Sequence, residues 1–127
     1  MDIHTHHLID QELCGQPVDL QPGYCRVTFT ATDRMAADDK GLVHGGFIFG
    51  LADYAAMLAV NDPHVVLGAA ALKFLKPVSV GDVLSAEARV SEVKGRKHVV
   101  AVQVYRNDET MLEGQLTCFV LDRHVLD

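Results

Sequence analysis

The sequence predicts an α+β domain in which an antiparallel β-sheet curls around one long, buried helix. Three observations carry this expectation. Residues 44–60 form an apolar stretch too long, too rich in alanine and too poor in β-branched residues for a strand. Residues 24–31 alternate apolar and polar side chains with the period of a half-buried strand. After the helix come four strand-like runs separated by turn residues, and the order strand, helix, strands is that of an α+β chain.

Taken in order, residues 1–23 mix polar groups with Pro17, Pro22 and two glycines, which predicts a short helix or turn followed by a loop. In the first strand Cys25, Val27, Phe29 and Ala31 face one way while Arg26, Thr28 and Thr30 face the other. The helix is apolar on nearly every face, from Phe47, Ile48 and Phe49 to Met57, Leu58 and Ala59, so it must be buried. Its glycines and alanines, among them Gly50, Ala52, Ala55, Ala56 and Ala59, let other backbone approach closely. Asn61-Asp62-Pro63 ends it. Runs near 65–76, 82–93, 97–106 and 111–121 follow, divided by Pro77 to Gly81, by Lys94-Gly95-Arg96 and by Asn107-Asp108. Four strands with short connections predict a meander, with the first strand inserted or added at an edge. One helix does not cover a large sheet completely, so pairing with a second subunit is expected.

At 127 residues, half of them hydrophobic, the chain is expected to be a single domain (1–127) able to bury a core without disulfides or a structural metal. A formal net charge of -6 argues against nucleic-acid binding, which selects a basic face. Cys14, Cys25 and Cys118 are an odd number without a CxxC pair, which points to reduced thiols and a cytoplasmic location. No long apolar run or leader-like N-terminus directs membrane insertion or export. His4, His6 and His7 cluster near the start, but no CxxC or HExxH pattern accompanies them, so no metal is expected. His64, His98 and His124 read as structural or solvated.

The chemistry concentrates in His44 to Asp53. A carboxylate in the middle of an apolar helix is costly to bury, so Asp53 needs a reason. It lies nine residues after His44 in an HGG segment that opens the helix, where the amides of Gly45 and Gly46 point outward and a developing oxyanion can be held. Nine residues of helix span about 13 Å, so carboxylate and amides of one chain are too far apart to grip one reacting centre. An antiparallel partner helix across a dimer axis would unite them, which predicts a composite site at a subunit interface.

The stretch D-D-K-G-L-V-H-G-G-F-I-F-G-L-A-D resembles the hotdog-fold thioesterases. It is most similar to the phenylacetate-pathway (PaaI-like) type, whose pattern is N-x-x-G-x-x-H-G-G followed by an L-A-D or similar triplet. Gly41, His44, Gly45, Gly46 and Asp53 are all in place. The likeness continues through Asn61 and K-F-L-K-P-V-S-V-G-D at residues 73–82, about the last two-thirds of the chain. It implies a hotdog fold that dimerises into a double hotdog, as a homodimer or homotetramer, and an acyl-CoA thioesterase that needs no cofactor. Asp53 would be nucleophile or general base, the Gly45 or Gly46 amide would polarise the thioester carbonyl from the other subunit, and His44 would orient the loop or add a hydrogen bond.

Asp38 stands where the family often has Asn and offers no amide donor; it either enters the site or, as preferred here, points to solvent. A Ser or Thr near the start of the strand after the helix has no counterpart in V-V-L-G-A-A. The turn Lys94-Gly95-Arg96-Lys97 is the strongest basic cluster, and in the resembling enzymes such a loop meets the phosphates of coenzyme A. Asp38, Asn61, Lys94, Arg96 and Lys97 are therefore the substrate-contact candidates. Two other functions stay open: a non-catalytic acyl-CoA sensor or carrier of the same fold, and an acyl-thioester hydratase or dehydratase pairing His44 with Asp53.

Overall fold

The computed structural model describes residues 1–127. A helical turn α1 (Gln11–Cys14) is followed by β1 (Gln16–Gln21), β2 (Tyr24–Thr30), a 3-10 turn at Asp33–Met35, the long helix α2 (Gly45–Val60), and then β3 (Val65–Phe74), β4 (Val83–Lys94), β5 (Lys97–Arg106) and β6 (Glu109–Val120). The six strands form one antiparallel sheet in the order β1-β2-β4-β5-β6-β3, wrapped around α2. No helix is long and apolar enough to cross a membrane.

Alternation in the strands sets which side chains meet the helix. Cys25, Val27 and Phe29 of β2, Leu84, Ala86 and Ala88 of β4, Val100, Val102 and Val104 of β5, and Leu112, Leu116 and Cys118 of β6 are all buried on the inner face. They pack against Ile48, Leu51, Ala52, Ala55, Ala56, Leu58 and Ala59 of α2 in one continuous core. Alanines on both layers bring helix and sheet close, as the small residues of the sequence predict. The side of α2 away from the sheet is covered by α1 and the N-terminal segment, where Ile3, Ile9 and Leu13 join the core. Asn61 ends α2 in the left-handed conformation (φ 55, ψ 42), as its position in the sequence predicts.

Two expectations are corrected. The segment before Tyr24 is not all loop: β1 pairs with β2 across a bulge between Pro17 and Asp19, and the proline and the carboxylate mask the strand in the sequence. Nor do the last four strands form a meander. β4, β5 and β6 do, but β3 pairs with β6 at the far edge of the sheet. The helix carries the chain across the sheet to that edge, and residues 75–82 bring it back to β4 beside β2. Three strand spacings are about 14 Å, within the roughly 26 Å reach of eight extended residues. Strand periodicity reports which face is buried and not which neighbour is chosen.

The two sheet edges differ. β1 is short and carries Pro17, a bulge and Asp19. β3 is ten residues long, almost wholly apolar, and exposed through Gly68, Ala69, Ala70 and Ala71. At the end of the molecule where α2 terminates, the two chain termini meet: His4, Thr5, His6 and His7 border one cavity of about 500 Å³ together with Pro63 to Val66, His124 and Val125. The five histidines there are not arranged as ligands, since no group of three His, Cys, Asp or Glu side chains is placed to hold a metal.

Gly114, in the middle of β6, has φ 154, and a Cβ there would stand 2.1 Å from the Ala71 carbonyl oxygen on β3. Backbone cannot yield as a flexible side chain can. Gly114→Ala is therefore expected to lower unfolding free energy by about 3 kcal/mol, read as a lower urea midpoint. A variant as stable as the parent would show that β3 and β6 do not approach so closely.

Candidate functional site

Helix α2 begins where three backbone segments converge. The Val43 N–H donates to the Val78 carbonyl (2.8 Å), the Val80 N–H to the Gly41 carbonyl (2.9 Å) and the His44 N–H to the Met35 carbonyl (2.9 Å). His44 is the N-cap residue, extended at φ -63 and ψ 130, and its Nδ1 accepts from the Gly46 N–H at 2.9 Å. In the neutral ring of this exposed residue the proton then sits on Nε2. The Phe47 N–H is taken by the His44 carbonyl at 3.1 Å. Gly45 itself is half-buried, and its N–H has no acceptor in the chain. Of the two amides that the sequence offers, the structure thus leaves one free, at the positive end of the helix dipole.

Asp53 lies eight residues along the same helix, about 12 Å from Gly45 by helical rise. Its Oδ1 is buried without a hydrogen-bond partner. Burial pushes the carboxyl up to about 6, because removing water disfavours the charged form. Cys14 on α1 and Cys118 on β6 are near enough to feel it: burial first, then Asp10 and Asp53, raises the Cys14 thiol, and burial followed by Asp53 pushes Cys118 up to about 12. The carboxyl therefore sits among thiols and apolar groups, with no cation or donor to hold its charge.

The structure brings His44, Gly45 and Gly46 together and keeps the other sequence candidates apart from them. Asp38 is exposed, and its Oδ1 accepts from the Lys40 and Leu42 amides (3.0 and 3.1 Å), closing the loop before the helix. Asn61, at the far end of α2, holds the N-terminal segment: its Nδ2 donates to the Asp2 carbonyl and its Oδ1 accepts from the His4 N–H, both at 2.8 Å. Lys94, Arg96 and Lys97 are exposed at the β4–β5 hairpin, with Arg96 paired to Asp122. That hairpin lies at the end of the sheet where β3 begins, whereas Gly45 lies at the end where β3 finishes.

Two features near Gly45 escape sequence reasoning. The Phe74 ring stands 3.4 Å from where a Gly45 Cβ would be, with the side chain half exposed. An ion network also braces the 75–82 segment: Arg106 binds Asp82 at 2.8 Å and Glu109 at 2.6 Å, and Lys76 binds Glu109 at 2.6 Å. The Gly81-Asp82 pair of the family-like segment was the available signal, since a carboxylate after a turn glycine often closes the turn. A cavity of about 830 Å³ lies on the outer face of the sheet, bordered by Tyr24, Glu87, Arg89 and Gln103, and includes none of these residues.

Comparison with known proteins adds kinship to this geometry. The thioesterase superfamily pattern matches residues 40–113, which include His44, Asp53 and Asp82. The chain is 54% identical over 96% of its length to methylthioribose-1-phosphate isomerase of Aquifex aeolicus, but spans only 27% of that protein. It is 28% identical over 94% of its length to transcription factor FapR of Caldanaerobacter subterraneus, spanning 60% of it. Acyl-coenzyme A thioesterase PaaI of Escherichia coli is 26% identical, with 84% of this chain and 80% of that protein covered. Among solved structures, uncharacterized protein PH1136 of Pyrococcus horikoshii superposes with a TM-score of 0.98 at 54% identity, covering 100% of this chain and 98% of that one.

The raised Asp53 carboxyl has a consequence for stability. Its folded value, about 6, exceeds the ordinary 3.8, so the folded state holds its proton longer than the unfolded state does. Wild type then loses stability as pH rises from about 4 through 6, by up to about 3 kcal/mol at roughly 1.4 kcal/mol per pH unit. Asp53→Asn removes the charge and should be more stable than wild type at pH 8, with the advantage vanishing by pH 4. Urea unfolding across this range checks it, and a difference independent of pH would count against a desolvated carboxyl.

Proposed function

Because the chain belongs to the thioesterase superfamily, we propose that it hydrolyses an acyl-CoA thioester at a site composed from two copies of the chain. The observation that carries this reading is a pair of unsatisfied groups on one helix: the free Gly45 N–H at its start and the buried, partnerless Asp53 oxygen about 12 Å along it. Buried polar groups are rarely left unpaired. An antiparallel second helix would set the Asp53 of one copy beside the Gly45 N–H of the other, giving each a role towards the same substrate.

The chemistry follows from those two groups. Ionised Asp53 takes a proton from water as the water oxygen attacks the thioester carbonyl, or attacks that carbon itself as nucleophile. The carbonyl oxygen gains negative charge in the tetrahedral state, and the Gly45 N–H, backed by the helix dipole, stabilises it. Collapse breaks the C–S bond. On the base route the protonated Asp53 passes the proton it took from water to the departing thiolate, leaving acid and free thiol. On the nucleophile route collapse leaves an acyl–Asp53 anhydride, and a water then cleaves it, one water proton going to the thiolate as the acid leaves and the carboxylate is restored. His44 fixes the cap that aims the amide.

The exposed β3 edge supports the double-hotdog dimer in this reading, two such edges pairing across the dimer axis. A long, apolar edge such as Val65–Phe74 is a template for a second strand. Lys94, Arg96 and Lys97 supply charge for coenzyme A phosphates. The Escherichia coli relative named acyl-coenzyme A thioesterase PaaI supports the substrate class, and three unpaired cysteines agree with a cytoplasmic setting. The likeness to transcription factor FapR over most of the chain favours a second reading, a module that binds an acyl thioester without turning it over.

Free-thiol release from short aliphatic, long aliphatic and aryl CoA esters tests the proposal. Wild type is expected to turn over at least one class, and Asp53→Asn and Asp53→Ala to lower kcat at least a hundredfold while remaining folded. As a base acts in its ionised form, kcat/KM should fall as pH drops below about 6. Saturable binding without turnover of any ester would instead establish the binding module.

The composite geometry has its own test. Proline is welcome at the first helical position, and His44, at ψ 130, already has the backbone a following proline demands, so Gly45→Pro deletes the N–H with little strain. It should lower kcat by about a hundredfold or more. Mixing inactive Asp53→Asn with inactive Gly45→Pro, after subunit exchange, should restore about a quarter of wild-type activity, because half the dimers are mixed and each has one intact site. No restoration despite proven exchange would mean that both groups act within one chain.

A further inference from the structure

Beyond its backbone bonds, the loop that presents Gly45 is braced by one guanidinium. Arg106 closes β5 at the two-residue turn to β6, and its side chain forks: Nη1 donates to Asp82 Oδ2 at 2.8 Å and Nη2 to Glu109 Oε1 at 2.6 Å. The opposite oxygen of Glu109 binds Lys76, at the start of the same 75–82 segment. Asp82 Oδ2 also accepts from the Ser79 N–H at 2.9 Å, so this one oxygen joins Arg106 to the turn that carries residues 78–80. Those residues are the ones that bond Gly41 and Val43 through Val80 and Val78, and the next residue is His44. Arg106 thus reaches the helix start through one carboxylate and two backbone bonds.

We propose that Arg106 is a positioning residue that sets the place of the Gly45 N–H through Asp82 and residues 78–80. The inference rests on the reading of Gly45 as the donor to the thioester oxygen. An Arg–Asp pair with about a third of the arginine side chain exposed adds little to stability, and the backbone bonds between 78–80 and 41–43 do not involve it. Rate is far more sensitive than stability to sub-ångström changes, since a donor displaced by about 1 Å can lose about a hundredfold. Lysine cannot replace it, because an ammonium is a point donor and does not bridge Asp82 and Glu109 in one plane.

The test compares Arg106→Gln and Arg106→Lys with wild type by two independent readouts. In acyl-CoA hydrolysis we expect kcat to fall tenfold or more with KM within about twofold, in protein that melts within a few degrees of wild type; millimolar guanidinium should restore much of the kcat of Arg106→Ala. In 1H–15N spectra the Gly45 amide crosspeak should shift in both variants while that of Ala55, deep in α2, stays in place. A Gly45 crosspeak unmoved in a folded variant overturns the proposal, as does a kcat loss that merely tracks the unfolded fraction. The spectra do not depend on turnover. A moved crosspeak in a protein that hydrolyses no ester leaves the positioning role standing and refutes the hydrolase reading instead.

Discussion

Everything in this molecule answers to the need to bury one helix on all sides. α2 carries apolar side chains around nearly its whole circumference, and a helix of that kind is stable only when surrounded. The inner face of the sheet covers one side, and α1 with the N-terminal segment covers another. The sheet can curl closely around it because Ala86 and Ala88 of β4 and Ala52, Ala55, Ala56 and Ala59 of α2, buried in one core, add little bulk between the layers. Asp53 is the exception in that helix, and the candidate chemistry arises where the burial rule is broken.

The burial requirement was legible in the sequence because it is a property of composition and period. Helix, strand alternation, the stop at Asn61 and the turns between β4, β5 and β6 all follow from local patterns. β1 and the place of β3 did not, for different reasons. Pro17 and Asp19 interrupt the alternation of β1, while the pairing of β3 depends on where the helix delivers the chain. Periodicity records a face; the edge of the sheet at which a strand docks is settled by the geometry of its connections.

The candidate site divides in the same way. That His44 begins a helix with glycine amides, and that a carboxylate follows within it, could be read directly. Which amide is free could not, because the answer turns on the His44 ring taking the Gly46 N–H. Nor could it be read that Asn61, a substrate-contact candidate, ties the N-terminal segment to the end of α2. The Arg106 network was invisible because only the sheet order brings Lys76 and Asp82, at the two ends of the β3–β4 connection, to Arg106 and Glu109 at the β5–β6 turn.

The meeting of both termini at one cavity, beyond the last turn of α2, gives the architecture a polarity. Chain added at either end emerges on the side remote from Gly45 and the loop that frames it. The ends can be joined, and the chain reopened at an exposed hairpin, without touching the start of α2. The domain therefore has the geometry of a cassette: it can be carried within longer polypeptides, with its working end turned away from whatever it is spliced to.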